Sequence, residues 1–377
     1  MTEMDYYEVV RQKLVIGPLK TPKHRKVAKL MKIFWNDEEI RLLSHFEPAD
    51  QWTSLKQLEE RSGLSKDEIK QLLRIPLRKG TISKRGTKYC LDPILPGIFE
   101  KYFQRSADTE ENIKKAANLY WDLFNEVAPQ SSFTEKGWSL MRPLLPLDAQ
   151  EKLIEINKDF DVESQTLPYE SVKNLIDRHD QFASITCQCR LIGELSGDPC
   201  EVAPAEMGCL VAGAAGKMMV DLGVRGAKLM TKEETIEYLK ETEKRGLVHN
   251  TVFDKGNESS VFVCNCCGCH CGVLYPPKLF LEKANNPSNY SPKIDPELCT
   301  KCETCMKKCP QQAIFHKFPI ETDSSDEEMV IREEYCIGCG ICATNCPSDA
   351  IKMVKVRDNV APEKQLIGNK TFTEMLQ

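Results

Sequence analysis

The hydrophobic positions first fall into helical register at residues 37–46 (DEEIRLLSHF). Acids lead this segment, and Ile40, Leu42, Leu43 and Phe46 recur at the spacing of one helix face. A second helix is expected over 54–62 (SLKQLEERS), with Leu55 and Leu58 inward and Gly63 at the turn. Ser65 and Glu68 form a capping-box pattern that opens a third helix, running to Lys79 and stopping at Gly80. The period then drops to two, and 81–92 (TISKRGTKYCLD) reads as two strands about a Gly86 turn. Residues 107–127 read as an amphipathic helix carrying Leu119, Trp121, Leu123 and Phe124; Trp121 and Trp138 are expected to pack into a core or an interface. Helices are also expected over 148–160 and 168–183, with Pro143, Pro146 and Pro168 in the loops between. A second capping box, Thr231 with Glu234, opens a helix over 231–245 that buries Ile236 and Leu239 and ends at Gly246. The β-prone runs LVHNTVF and SSVFVC follow as a hairpin. The mixture predicts an α+β chain.

With 377 residues the chain is long enough for two or three domains, and 41% hydrophobic residues suffice for a sizeable core. No apolar run nears the roughly 18 residues of a membrane helix, and the opening MTEMDYYEVVRQK lacks a secretory apolar stretch. Eighteen cysteines without an export signal point to the cytoplasm, where thiols serve metals rather than disulfides. The net charge of −5 is unevenly spread. Residues 1–90 hold 19 Lys+Arg against 12 Asp+Glu, and the remainder holds 32 against 44, so a basic head precedes an acidic body.

Between Arg11 and Asn36 stand eight cationic side chains and no acid. Three helices followed by a hairpin, over roughly 27–100, resemble a winged helix-turn-helix domain. That resemblance implies DNA binding through Lys66, Lys70, Arg74 and Lys79 of the third helix and Lys84, Arg85 and Lys88 of the wing. Asp67 and Glu68 in the first turn of that helix argue against it, because this turn faces base edges in such proteins. A protein-docking role, against an acidic partner or the chain's own acidic half, is the alternative. Cys90, isolated among β-prone residues, is expected in the core.

Two runs near the end carry the clearest chemistry: Cys299, Cys302, Cys305, Cys309 with Pro310, then Cys336, Cys339, Cys342, Cys346 with Pro347. Thiols this closely spaced pair poorly with one another as disulfides, and zinc hooks would leave the third cysteine and the Cys-Pro unexplained. Each run, CxxCxxCxxxCP, resembles the bacterial-type two-[4Fe-4S] ferredoxin, over about residues 288–355. The resemblance implies cluster I on Cys299, Cys302, Cys305 and Cys346, and cluster II on Cys336, Cys339, Cys342 and Cys309. Gly338 and Gly340 would let the loop approach the cluster, and Ile337, Ile341, Ala313 and Ile314 would supply a dry wall. An acidic insert, 319–329 (PIETDSSDEEM), departs from a minimal hairpin and could steer a basic partner.

Nine more cysteines stand upstream: Cys187, Cys189, Cys200 and Cys209, then Cys264, Cys266, Cys267, Cys269 and Cys271 in VCNCCGCHCG. Adjacent Cys266 and Cys267 must face opposite sides of an extended strand, so thiols are presented in two directions. One or two additional Fe–S clusters are expected, with zinc or a thiol-redox site as alternatives. The grouping expected joins Cys187, Cys189, Cys200 and Cys209 to part of the second set. His270 could replace a thiolate, but a lone histidine beside the strand is expected to face solvent. Arg190 would either offset thiolate charge or form a structural salt bridge. The small-residue stretch 208–223 has neither GxGxxG nor a P-loop, so no nucleotide site is expected there.

The order of parts resembles multidomain 4Fe-4S binding proteins found beside anaerobic redox enzymes. Expected domains are 1–105 (basic head), 106–287 (Cys-rich middle), 288–355 (two-cluster domain) and 356–377 (tail). The leading functional expectation is an electron-transfer subunit or adaptor between a carrier and a partner oxidoreductase, without a substrate pocket. An Fe–S-dependent DNA-binding regulator is the alternative, and an enzyme with a catalytic metal centre among the middle cysteines is the third possibility.

Overall fold

The structure, a computed structural model, describes residues 4–17, 19–49, 51–127, 141–147, 170–252, 260–279, 285–318 and 327–361. In the head, capping boxes start three helices: Asn36 with Glu39 for Asp37–Leu43, Ser54 with Gln57 for Leu55–Ser62, and Ser65 with Glu68 for Lys66–Lys79. Gly80 ends the last of these at φ 76°, in the left-handed region where a side chain is strained. Strands Ile82–Arg85 and Lys88–Leu91 pair antiparallel, and Thr53–Ser54 adds a third strand beside Lys88–Leu91. Helices Tyr6–Lys13 and Arg25–Phe34 precede this unit and have no counterpart in the hydrophobic pattern read above.

The core does not break at residue 105. Helix Glu110–Glu126 lays Ile113, Ala116, Tyr120, Leu123 and Phe124 into the same cluster as Phe34, Trp35 and Leu73 of the head. Leu191, Ile192 and Ala205 of the Cys-rich region join it. Phe99 lies 4.9 Å from Tyr120, and Phe34 lies 4.9 Å from Tyr102. Each fully buried ring of this kind contributes on the order of 1.5–3 kcal/mol. Charge reinforces the joint: Lys26 Nζ lies 2.7 Å from Asp122 and 2.5 Å from Glu126, and Lys79 Nζ lies 2.8 Å from Asp108. Part of the head's positive charge is therefore spent on the chain's own acids.

The middle region is one antiparallel sheet, in the order Met141–Pro143, Val248–Val252, Ser260–Cys266, Cys209–Gly213, Phe182–Ile185, Lys228–Met230. The expected hairpin forms neighbouring strands, with Asn250 opposite Cys264 and Val248 opposite Cys266. Its connection, 253–259, lies outside the described residues, as do the helix expected over 148–160, Trp138, Pro168, and Glu321, Asp323 and Asp326 of the acidic insert. The helix expected over 168–183 is shorter, Val172–Asp177, and the chain becomes a strand at Phe182. Phe182 packs with Leu210, Val261 and Val263, so sheet burial overrides the helical period there. Pro143 ends the edge strand rather than lying in a loop, a position where its missing N–H is tolerated. Helix Lys232–Arg245 covers the sheet through Leu239.

The C-terminal region contains two antiparallel strand pairs, Tyr290–Ile294 with Ile351–Lys355 and Ile314–Lys317 with Glu328–Ile331. Two short helices, Thr304–Lys308 and Ile341–Thr344, pack against each other. Gly268 seats this region on the middle sheet: a Cβ there would lie 2.4 Å from the Pro310 carbonyl oxygen, so only a glycine admits the contact. The fold is α+β, and no helix among the described residues is long and apolar enough to cross a membrane.

Candidate metal centres

The eight C-terminal cysteines line two separate cavities. Cys299, Cys302, Cys305 and Cys346 surround one, walled by Ile294, Met329 and Ile351. Cys309, Cys336, Cys339 and Cys342 surround the other, walled by Ala313, Ile314, Ile337 and Ile341. Each set takes three thiols from one run and the fourth from the other, because the Cys-Pro turn carries the last cysteine of a run across to its neighbour. The Ala313 N–H donates to Cys309 Sγ at 3.2 Å, the kind of backbone contact that stabilises negative sulfur. The two sets differ in exposure. Cys302 is exposed, and a hydrogen bond to the Thr304 hydroxyl lowers its thiol pKa. Burial raises Cys339 and Cys342 well above the ordinary thiol value, and Cys305 to about 11. Buried thiols of this kind ionise only beside compensating positive charge, which iron supplies. Sulfur-only donors in dry, four-thiol sets fit a [4Fe-4S] cluster.

The nine middle cysteines do not form one set. Seven of them (Cys187, Cys189, Cys209, Cys264, Cys266, Cys267 and Cys271) border a cavity of about 240 Å³ whose walls include Phe99, Tyr120, Phe124 and Phe262. The sheet explains their meeting. Cys187 lies two residues beyond strand Phe182–Ile185 and caps helix Gln188–Leu195, whose first turn carries Cys189. Cys209 and Cys264 stand one position beyond the Val263–Leu210 pair of the ladder, and Cys266 follows on the same face as Cys264. Cys271 returns after a turn, and the Gly272 N–H donates to Cys189 Sγ at 3.4 Å. Hydrogen bonding between thiols, then burial, raises Cys187 well above the ordinary value. Cys267 aside, six sulfurs remain at the cavity, more than one cube ligates.

Cys200, expected with Cys187, Cys189 and Cys209, lies elsewhere. Its ligand atom, with those of Cys267, Cys269 and His270, belongs to a group in which all four lie within 4.8 Å of one another. Cys266 is the last residue of its strand and Cys267 stands just beyond it; both line the cavity, and only Cys267 also joins this second group. His270 corrects the expectation of a solvent-facing ring, being only 5% exposed. Trp121 stacks on it at 4.6 Å and 7°, so this tryptophan is more than core packing. Burial lowers the imidazole pKa, but the Cys200 and Cys267 thiols beside it outweigh this and push it up to about 10.

Arg190 is fully buried between the two groups. Its guanidinium donates to the backbone carbonyls of Pro204, Asn265 and Met207. Burial opposes its charge, while Cys187, Cys267, Cys200 and Cys209 together raise its pKa. It therefore offsets thiolate charge on both sides. Half-buried Lys278 donates to the Gly268 carbonyl; burial lowers its pKa against the pull of Cys269, Cys267 and Cys309, so it bridges the middle region and the second C-terminal set. Cys90 is a core thiol directed at the Ala49 and Gln51 carbonyls.

A family model described as a 4Fe-4S dicluster domain matches residues 298–350. The match identifies a C-terminal ferredoxin-like iron–sulfur domain and suggests an electron-transfer role. No curated protein and no solved structure matches the chain.

Proposed function

We propose that the chain is an electron-transfer subunit or adaptor linking a carrier to a partner oxidoreductase. Cys299, Cys302, Cys305 and Cys346 would hold one [4Fe-4S] cluster, and Cys336, Cys339, Cys342 and Cys309 a second. Six of the large cavity's thiols, Cys187, Cys189, Cys209, Cys264, Cys266 and Cys271, would hold a further iron–sulfur centre. The observation that carries this reading is the division of the eight C-terminal cysteines into two dry four-thiol sets with exchanged fourth members. Bound clusters of this type supply one-electron transfer.

The residues around the sites give them an order. Cys302 brings the first set to the surface, and Glu303, Glu327 and Glu328 of this region are paired with Lys307, Lys301 and Lys317. Cys339 and Ile341 of the second set share a packed cluster with Cys266, Cys267 and Cys271. The port thus faces solvent on one side and the middle thiols on the other. Residues 27–100 would form a winged helix that docks protein rather than DNA. Lys66, Lys70 and Lys79 of its third helix are each paired with an acid, namely Glu59, Asp67 and Asp108.

The test is iron and sulfide analysis of anaerobically purified chain, with reductive titration followed by electron paramagnetic resonance. About eight irons in the C-terminal sets plus additional iron in the cavity is expected; fewer than about eight irons, or iron that cannot be reduced, sinks the reading. A second reading, an enzyme, is favoured by one observation: the large cavity adjoins more thiols than four irons need. It predicts that a small iron ligand such as cyanide perturbs the middle centre's spectrum. An unperturbed spectrum leaves electron transfer alone. Salt-dependent retention of duplex DNA would revive the regulator reading.

A further inference from the structure

The four donors Cys200, Cys267, Cys269 and His270 differ from every other cysteine set in the molecule. A cube spreads its thiolates over separate irons, around the outside of the cluster. These donors converge on a single point instead. All four ligand atoms lie within 4.8 Å of one another, and Cys200 Sγ is 3.5 Å from Cys269 Sγ. A tetrahedral zinc with Zn–S near 2.3 Å sets its sulfurs about 3.8 Å apart.

The histidine is prepared as a ligand. Its Nε2 bonds the Asp198 carbonyl oxygen at 2.8 Å, which fixes the proton on that nitrogen. The ring's Cδ2–Nε2 edge lies against Gly193, where a Cβ would come within 2.4 Å of Cδ2. Nδ1 is left on the opposite edge. It is buried and has no hydrogen-bond partner. A buried ring nitrogen of this kind is costly unless a cation takes it, and beside the Cys200 and Cys267 thiols a metal ion can take the place a proton would otherwise fill. The Trp121 face locks the ring plane, and a carbonyl partner on the distal nitrogen is the usual support of a metal-bound imidazole.

We propose that Cys200, Cys267, Cys269 and His270 hold one zinc ion through three Sγ atoms and Nδ1. Three thiolates and Zn²⁺ carry a net charge of −1, which Arg190 offsets from its buried position. Four protein ligands close the coordination shell, so the role is structural. The ion would rivet the loop carrying Cys200 to the Cys266–Cys271 segment. It would thereby fix Cys266 and Cys271 at the large cavity and Gly268 against Pro310. This does not depend on the electron-transfer reading.

The test is zinc and iron content of the anaerobically purified full chain, with X-ray absorption at the zinc edge. One zinc per chain is expected, with three sulfurs near 2.3 Å and one nitrogen near 2.0 Å. In Cys269→Ser or His270→Ala, zinc should fall roughly tenfold or more at unchanged C-terminal iron. Trp121→Ala, which removes no ligand, should speed zinc loss to a chelator. Absence of zinc from the unmodified chain, zinc held by four sulfurs, or iron in its place overturns the proposal, whether or not the variants fold.

Discussion

The C-terminal and middle cysteines solve the same problem in different ways. At the C-terminus, three thiols of each set lie within one short loop, and only the fourth is imported. In the middle, each group is assembled from remote segments: Cys209 and Cys264 reach one cavity from two strands and Cys187 from a helix N-terminus, and Cys200 meets Cys269 from a separate loop. Local sets need only the loop's own geometry. Assembled sets need the sheet register, a buried arginine and an aromatic clamp. The comparison teaches that cysteine count alone says little about cluster count; what matters is which distances the fold imposes between sulfurs.

The comparison can be broken most decisively by removing one region's thiols. Replacing Cys187, Cys189, Cys209, Cys264, Cys266 and Cys271 together by serine should abolish iron in the middle while leaving about eight irons at the C-terminus. Loss of the C-terminal signals as well would show that the two regions are not separable. Arg190→Met comes next. It removes three hydrogen bonds to buried carbonyls and the charge that balances the thiolates. We expect a loss of about 3–5 kcal/mol in denaturant unfolding, together with depleted middle metal and intact C-terminal resonance signals. Equal stability would mean that the arginine is a bystander.

Gly193→Ala tests the histidine clamp more gently. The added methyl overlaps the ring, which costs about 1–3 kcal/mol and should weaken metal retention only in the middle. Smallest is Lys278→Gln, which touches the junction of the two regions. Removing a positive charge beside Cys309 should lower the potential of the second C-terminal centre by roughly 30–90 mV and leave the first unchanged. A shift of the first centre instead, in a redox titration, would contradict the proposed order of sites.

Much of the local structure was legible. The capping boxes at Ser65 and Thr231 open helices where the sequence places them, and Gly80 and Gly246 close them. These are contacts between residues three or four apart, so the pattern contains both partners. The strand at Phe182 was not legible, because a helical period there yields to partners such as Leu210 and Val263. At the metal sites, VCNCCGCHCG announced chemistry but not its partition. His270 looks like a surface residue until Trp121, 149 positions upstream, is found stacked on it. Arg190 offers only a hint beside Cys189.

The basic head teaches the same lesson through charge. Its excess of Lys and Arg is plain in the sequence, and DNA is the first partner such an excess suggests. Lys26 and Lys79 are instead committed to Asp122, Glu126 and Asp108 of the following segment. Net charge is a sum over residues, whereas the charge offered to a partner depends on which pairs have already formed.

By itself the sequence determined the two CxxCxxCxxxCP runs, the ends of the helices capped at Ser65 and Thr231 and the thiol-rich character of the middle, since each rests on interactions within a few residues. Only the tertiary structure decided that seven thiols line one cavity and that one of them, Cys267, also groups with Cys200, Cys269 and His270. The separation of Cys200 from Cys267 along the chain is too long for local rules to set a distance. Sheet register, the Gly193 gap and the Trp121 face set it instead, through contacts that exist only after the chain has packed.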